Sequence, residues 1–159
     1  MPSSEPSATV SVKVAADPSA VYALITDLDT MAQLAEETAA MRWAKGTAAA
    51  VGAVFKGTNR NGWRRWTTTC TVTDAEPGRR FAFDVTHTVV PISRWEYALE
   101  ATDEGCIVTE STWDRRPGWF KAPAGLFTGV PKRAEANTAH IEATLRRLKA
   151  RAETGAATA

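Results

Sequence analysis

Apolar and polar residues alternate along the start of the chain, and the spacing then changes to that of a helix. The alternation covers Ala8 to Ala16 and predicts a strand with one buried face. Asp17 and Pro18 follow and favour a helix start, because Asp accepts hydrogen bonds from free N–H groups and Pro has no N–H to lose. The predicted helix buries Val21, Leu24, Ile25 and Leu28, and a second short turn adds Met31 and Leu34.

The middle of the chain, from Met41 to Trp113, has the pattern of about six consecutive strands. Asn61-Gly62 is a strong hairpin signal, since both residues tolerate positive φ. The segment 63–74 would span roughly 40 Å at about 3.3 Å per residue, a length typical of a curved sheet. The predicted breaks between strands are Lys45-Gly46, Asn61-Gly62, Glu76-Pro77-Gly78, Val90-Pro91 and Asp103-Glu104-Gly105.

A long helix is predicted from Pro131 to about Glu153. Its apolar stripe is Ala134, Thr138, Ile141, Leu145, Leu148 and Ala152. A basic run is interpreted as a solvated helix end rather than as a nucleic-acid or membrane patch: Arg146, Arg147, Lys149 and Arg151.

The length of 159 residues fits one domain. We expect a disordered N-terminal tail at 1–7, a single domain at 8–153 and a C-terminal tail at 154–159, where the residues are small and aperiodic. Glu36-Glu37 is predicted to lie in a loop.

Charge and hydropathy exclude several classes of partner. Lys and Arg number 19 against 18 Asp and Glu, a net charge of +1, so no nucleic-acid partner is expected. No apolar run reaches the roughly 18 residues of a membrane span, and the N-terminus lacks the basic and apolar regions of a signal peptide. We therefore expect a cytoplasmic protein, either a monomer or a homodimer.

The chain has few residues that could hold a metal. Cys70 and Cys106 stand alone in strand-like segments and are expected to be reduced, half-buried thiols. His87 and His140 are the two histidines, too few for most multi-histidine metal sites. Neither a GxGxxG motif after a strand nor a phosphate loop is present, so no metal and no other cofactor is predicted.

Two segments of the sequence resemble those of a known protein family. The resembling segments read VGAVFKGTNRNGWRRWTTTCTVTDAEPGRRFAFDV, at Val51 to Val85, and SRWEYALEATDEGCIVTESTW, at Ser93 to Trp113. Together they resemble the polyketide cyclase/dehydratase branch of the START-like (SRPBCC) superfamily. The features that carry the resemblance are Gly52 with Phe55, the run Glu76-Pro77-Gly78-Arg79-Arg80-Phe81, Trp95 with Tyr97, and Val108-Thr109-Glu110.

The resemblance, with the order of the elements, implies an α+β helix-grip fold. In this fold a curved antiparallel sheet of about seven strands grips a long C-terminal helix, and a short helix follows the first strand. A deep, mostly apolar cavity is implied between the sheet and the long helix. The Pro- and Gly-rich segment 115–130 is then expected to cover one end of the cavity, as a mobile lid or as a fixed connector.

Strand alternation predicts which residues face that cavity, with Val72, Phe81 and Val108 taken as inward. Trp63, Trp113 and Trp119 lie near strand ends or loops and are candidates for its rim. His140 lies beside the apolar stripe of the long helix, near Asn137, and solvent is favoured over the cavity as its surroundings. The predicted ligand-binding residues are Phe55, Asn59, Trp66, Thr68, Cys70, Phe83, Val85, His87, Trp95, Tyr97, Glu110 and Thr112.

Three of these residues form a candidate catalytic set. A carboxylate at Glu110 inside an apolar chamber must find a partner such as Arg or Tyr, or else take up a proton. His87 can exchange a proton near neutral pH, and Tyr97 can orient a carbonyl. The alternative is that Glu110 is satisfied by a hydrogen bond or an Arg, and that His87 lies at a strand end in water.

Three functions are compatible with this sequence. The first is binding, transport or sequestration of a small hydrophobic molecule, aromatic or polyketide-like, which includes lipid binding. The second is a polyketide cyclase or dehydratase that uses the same cavity, with His87, Glu110 and Tyr97 as its acid, base and orienting groups. The third is a protein-interaction or toxin-type module of the START-like superfamily.

Overall fold

The computed structural model describes residues 5–35, 38–121, 123 and 133–158. These residues contain seven strands, three helices and a further helical turn at 118–121. The predicted loop at Glu36-Glu37 lies outside the described residues, as does most of the predicted lid beyond Lys121.

The described chain forms one antiparallel sheet of seven strands with helices on its concave side. The strand order across the sheet is β1-β7-β6-β5-β4-β3-β2. This is the predicted helix-grip architecture, which is confirmed. The elements are β1 (Ala8–Val14), α1 (Pro18–Thr26), α2 (Leu28–Leu34), β2 (Thr38–Lys45), β3 (Val54–Asn61), β4 (Arg64–Glu76), β5 (Arg80–His87), β6 (Val90–Thr102), β7 (Gly105–Asp114) and α3 (Arg133–Thr158).

The predicted helix start at Asp17 is confirmed. The Asp17 carboxylate accepts a hydrogen bond from the backbone N–H of Ser19 at 2.8 Å, and Pro18 occupies the first helical position. Val21 and Ile25 of α1 are fully buried under the sheet, and α2 continues the buried surface with Leu28, Met31 and Leu34. These two helices therefore fill one end of the space inside the sheet.

One predicted turn is wrong. Val90 and Pro91 begin β6, and the chain turns one step earlier, at Thr88-Val89. Thr88 takes the left-handed conformation there, with φ 56°. A strand tolerates Pro near its start or beside a bulge, where no ladder N–H is needed. Pro91 pairs with Thr86 next to such an irregularity.

The β1–β7 edge depends on a close approach at Gly105. Gly105 has φ 147°, and a Cβ built on it would overlap the carbonyl oxygen of Val14 and lie 2.8 Å from the backbone nitrogen of Ala16. Just before β1, the Ser7 N–H donates to the carbonyl of Thr112 at 2.7 Å, and its hydroxyl accepts from the Asp114 N–H at 2.8 Å. Ser7, assigned from sequence to a disordered tail, is thus bound to β7.

The long helix differs from the prediction in the first part of its buried face and in the position of its C-terminal end. Ile141, Leu145, Leu148 and Ala152 are buried as predicted, but Ala134 is exposed and Thr138 only half-buried. Asn137 and Thr144 are buried in their place. The helix also continues to Thr158, past the predicted end at Glu153, although segment 154–158 contains Gly and two Thr; the Thr154 hydroxyl donates to the Ala150 carbonyl.

The basic run on α3 is not simply solvated. Arg147 donates to the carbonyl of Leu34 at 3.0 Å, and Lys149 donates to the carbonyl of Lys13 at 2.8 Å. Arg151 donates to the side-chain oxygen of Gln33 at 2.9 Å. These contacts attach the helix to α2 and to β1. Across the described residues, no helix is both long and apolar enough to cross a bilayer.

Candidate ligand cavity

A cavity of about 380 Å3 lies between the concave face of the sheet and α3. Helices α1 and α2 contribute Ile25, Leu28 and Met31 to one side of it. The predicted site residues that line the cavity are Phe55, Asn59, Trp66, Thr68, Cys70, Phe83, Val85, His87, Trp95, Tyr97 and Glu110. Thr112 does not line it. Its side chain is buried in the sheet, where the hydroxyl donates to the Arg94 carbonyl at 3.0 Å.

Aromatic rings form the apolar part of the cavity wall. Phe55 and Phe83 meet edge to face with their centroids 5.0 Å apart, and Phe81 lies 5.5 Å from Phe83. Such geometry is favourable beyond the burial of area alone. The Trp95 indole N–H donates to the Ser93 hydroxyl at 3.0 Å, which orients the indole ring. The wall therefore presents fixed aromatic surfaces.

Glu110 and Tyr97 form a buried polar pair in this wall. They lie opposite each other on β7 and β6, and the Tyr97 hydroxyl donates to Glu110 Oε1 at 2.7 Å. Both residues are almost completely buried, with 3% and 4% of their surfaces exposed. Glu110 Oε2 has no hydrogen-bond partner among the described residues. Of the partners expected for Glu110, the structure thus provides Tyr and not Arg.

Burial controls the protonation of this pair. It raises the pKa of Glu110 to about 8, although the hydrogen bond from Tyr97 acts in the opposite direction. Burial, with the neighbouring Glu110, also raises the pKa of Tyr97 well above its ordinary value. At neutral pH both groups therefore carry their protons, so Oε1 accepts from Tyr97 while the carboxyl group can still donate from Oε2.

His87 lies in a different polar cluster. Its Nδ1 is 2.9 Å from the carbonyl oxygen of Thr67, and because a carbonyl can only accept, Nδ1 carries a proton and donates. Close by, the Asn59 amide donates to the Thr68 hydroxyl at 3.1 Å and accepts from the Thr38 hydroxyl at 3.2 Å. This cluster is therefore built from hydrogen-bonding side chains of β2, β3, β4 and β5.

The two polar sites are far apart along the sheet. Tyr97 pairs with Phe81, and His87 is six residues further along β5. At about 3.3 Å per residue the separation along the strand is about 20 Å. The predicted catalytic set is thus divided: Tyr97 and Glu110 are in contact, whereas His87 cannot act on the same bond as they do.

An ion pair lies at the end of the cavity where β7 stops. Asp114 Oδ1 accepts from Arg116 Nε at 2.9 Å and Oδ2 accepts from a terminal guanidinium nitrogen at 2.8 Å. Burial acts to raise the pKa of Asp114, but these bonds and the positive charges of Arg116 and Lys121 outweigh it and hold the pKa below its ordinary value. Arg116, Phe120 and Pro123 line the cavity, so the described part of segment 115–130 covers this end.

The face that α3 presents to the cavity was not predicted from the sequence. His140, expected in solvent, lines the cavity together with Asn137, Ile141 and Thr144. Counting back by four and forward by three from Ile141 gives Asn137 and Thr144, so helical spacing alone could have found them. The prediction took only apolar positions as buried, whereas a helix face that lines a cavity can be polar.

Two of the three candidate rim tryptophans are exposed. Trp63, in the β3–β4 turn, is 82% exposed, and Trp119 is 71% exposed. Trp113 instead faces the outer side of the sheet, where the Arg94 guanidinium lies 5.9 Å from its ring centroid. Cys70 and Cys106 are free thiols and fully buried rather than half-buried, and burial raises the pKa of Cys70 to about 12.

Comparison with known proteins identifies the family. The sequence model of the family described as "Polyketide cyclase / dehydrase and lipid transport" matches residues 5–153, nearly the whole chain. The chain belongs to this family. No curated protein matches it significantly.

Solved structures related to polyketide biosynthesis share the fold. The di-domain aromatase/cyclase StfQ from the steffimycin biosynthetic pathway superposes with a TM-score of 0.74 at 15% identity, over 94% of this chain and 51% of StfQ. DynU16, from the dynemicin biosynthetic locus, gives 0.61 at 21% identity, over 93% and 47%. The chain thus spans about half the length of each of these proteins.

A single-domain relative has a similar size. The Polyketide_cyc-like protein Cgl2372 from Corynebacterium glutamicum superposes with a TM-score of 0.61 at 26% identity. The match covers 92% of this chain and 91% of Cgl2372. The resemblance stated from the sequence is confirmed.

Proposed function

We propose that this member of the polyketide cyclase / dehydrase and lipid transport family binds a compact, largely apolar molecule that carries one polar oxygen. The observation that carries the proposal is the cavity of about 380 Å3 with the Tyr97–Glu110 pair in its aromatic wall. That volume lies toward the small end of the range of about 300–1,000 Å3 for ligand sites. A fused-ring ligand fits the flat surfaces, and its oxygen can pair with the free side of Glu110.

The polar pair supports specificity as well as affinity. A buried oxygen without a partner costs free energy, and a ligand group that bonds to it removes that cost. The phenyl rings and the Trp95 indole supply apolar contact that does not discriminate among planar molecules. Apolar area therefore accounts for the affinity, and Glu110 selects ligands with an oxygen at one position.

The first experiment is native mass spectrometry of the protein purified from its own source organism, followed by denaturing extraction of any bound molecule. We expect a bound species of one-to-one stoichiometry that is lost on denaturation. Its identity gives the chemical class. A protein that is always recovered empty, and that binds no planar oxygenated probe either, would overturn the proposal.

A matched pair of tryptophan variants tests the cavity with a defined probe, 1,8-dihydroxyanthraquinone. Trp95 lines the cavity, whereas Trp113, one strand away, faces the outer side of the sheet beneath Arg94. By calorimetric titration we expect Trp95→Ala to weaken binding of the probe by about tenfold or more, since a stacked aromatic side chain is removed. Trp113→Ala should leave the affinity unchanged. Equal losses in the two variants would show that the probe does not bind in the cavity.

A second candidate function, acid–base chemistry on the bound molecule, is favoured by one specific observation. Glu110 is a buried carboxyl group held by Tyr97, with one oxygen unpartnered, and its pKa of about 8 suits proton transfer near neutral pH. The ionised fraction of Glu110, which grows as pH approaches 8, can take a proton at Oε2 from a carbon beside a carbonyl group, while the Tyr97 hydroxyl holds Oε1 in place. Cyclisation or dehydration of a poly-β-ketone begins with that step.

Substitution of Glu110 separates this candidate from simple binding. Glu110→Gln keeps the shape of the neutral carboxyl group and cannot transfer a proton. With a poly-β-ketone thioester as substrate, we expect turnover to fall by at least about a hundredfold while binding of the dihydroxyanthraquinone changes much less. His87→Gln, at the distant cluster, should retain turnover. Unchanged turnover in Glu110→Gln would leave binding as the function.

A further inference from the structure

Three of the most exposed large apolar side chains lie at one end of the sheet, where β3, β5 and β7 end. Trp63, Val89 and Trp119 are 82%, 86% and 71% exposed. They stand in the β3–β4 turn, in the β5–β6 turn and after the end of β7. Because the strands are antiparallel, these two turns and the end of β7 lie at the same end of the strands. Arg116 and Phe120 line the cavity at that end.

The β3–β4 hairpin projects beyond its neighbour. Thr69 pairs with Thr86, and β5 ends at His87, so residues 64–67 of β4 extend past the end of β5. At about 3.3 Å per residue this extension is about 13 Å. Trp63 is therefore placed near the tip of a projecting arm.

The same arm is basic. Residues 58–66 read TNRNGWRRW, with three arginines and no acidic residue. Arg64 lies over the Trp63 ring at 4.5 Å from its centroid, and Arg60 and Arg65 are exposed without an ion pair to any described residue. Lys121, beside Trp119, is also exposed and lies 3.9 Å from the already paired Asp114. The chain as a whole has a net charge of only +1, so the segment 58–66 is far more basic than the chain average.

We propose that the basic aromatic tip, defined as residues 60–65 together with Trp119 and Lys121, docks on an anionic lipid surface. Indole rings favour the depth of the lipid headgroups, and nearby guanidinium groups bind phosphates. Each basic residue near an anionic membrane adds about 1 kcal/mol of attraction. Docking at this end of the sheet brings the part of the cavity lined by Arg116 and Phe120 close to the bilayer, where an apolar ligand would be found.

The arrangement favours a lipid surface over a folded acidic protein. A protein partner would need a fitted recess for the Trp63 indole, whereas headgroups adapt to a projecting tip. The tip itself is uncrowded: a Cβ built on Gly62 meets no atom within 4 Å. The proposal does not depend on which molecule the cavity binds.

Vesicle co-sedimentation of the full chain tests the proposal. The probes are vesicles of phosphatidylcholine alone and of phosphatidylcholine mixed with phosphatidylglycerol, each at low and high salt. We expect binding to the anionic vesicles only, weakened by salt. Equal binding to both vesicles, or binding to neither, overturns the proposal, and so does capture on an acidic protein without binding to vesicles.

Single substitutions at exposed positions assign the surface without threatening the fold. We expect Trp63→Ala and Arg65→Glu each to lower the partition coefficient on anionic vesicles by about tenfold, the second because it changes the charge by two units. The controls are Val51→Ala and Arg79→Glu. Val51 is 70% exposed and the Arg79 side chain is 79% exposed, and both lie at the opposite end of the strands. Equal losses in tip and control variants would overturn the assignment of the surface.

Discussion

At the scale of single residues, the contact between Tyr97 and Glu110 follows from a turn that the sequence predicts. Asp103-Glu104 is a two-residue turn that pairs Thr102 with Gly105, and counting back from it places Tyr97 opposite Glu110. Alternation predicted that both side chains face inward, and the turn fixes that they meet. The unpartnered Glu110 Oε2 could not be predicted, because it depends on what α3 and the other strands place around it.

Protonation of Glu110 makes folding stability depend on pH. In the folded protein Glu110 keeps its proton to about pH 8, whereas its ordinary pKa is 4.5. Between these values the unfolded chain binds fewer protons than the folded protein, so the free energy of unfolding falls as pH rises, by up to about 1.4 kcal/mol per pH unit from this group. Above pH 8 the contribution becomes constant.

Glu110→Gln should remove that slope. The variant cannot ionise, so we expect its stability relative to the parent protein to increase from acidic pH to about pH 8 and then to level off. Urea denaturation of both proteins over this pH range measures the difference. Parallel stability curves would mean that Glu110 is already ionised at neutral pH.

At the scale of the elements, features that depend on neighbouring residues in the sequence were predicted well. Features that depend on tertiary packing were not. The Asp17-Pro18 helix start and the β3–β4 hairpin depend on neighbours in sequence and are both found, although the turn lies one residue later than predicted, at Gly62-Trp63. Strand alternation likewise places the predicted inward residues on the cavity wall, with the exception of Thr112. The buried face of α3 was misassigned at Asn137 and Thr144, because polar residues are buried there against a cavity. Their burial is set by the sheet and not by the helix.

Two glycines with positive φ should respond very differently to a methyl group. Gly105 and Gly62 both have positive φ, but only at Gly105 would a Cβ overlap a carbonyl oxygen, that of Val14. We expect Gly105→Ala to reduce the free energy of unfolding by about 3 kcal/mol or more, and Gly62→Ala by about 1 kcal/mol from backbone strain alone. Urea denaturation measures both, and similar losses would argue against a close β1–β7 approach.

At the scale of the whole molecule, the family and the helix-grip architecture could be predicted from sequence, but the cavity contents could not. Alternation shows which side chains point inward without showing how much space they leave. That space of about 380 Å3 results from the curvature of seven strands and the placement of α3 together. No segment read alone contains this information.

Occupancy of the cavity should stabilise the entire fold. A ligand that binds only the folded state raises the free energy of unfolding by about 2.7 kcal/mol at a hundred times its Kd. We expect 1,8-dihydroxyanthraquinone to raise the unfolding temperature progressively with concentration, and to do so much less in Trp95→Ala than in Trp113→Ala. Differential scanning calorimetry across a concentration series provides the measurement. A midpoint that does not move would contradict folded-state binding.

The pairing of β1 with β7 also determines when the fold can be completed. Thr9 bonds to Ser111 across 102 residues of sequence, and β1 has β7 as its partner in the sheet. During synthesis the first strand must therefore wait, unpaired, until nearly the entire sheet has left the ribosome. Such long-range closure slows folding. During that interval an apolar strand stays exposed, and closing the sheet joins two segments that are synthesised far apart in time.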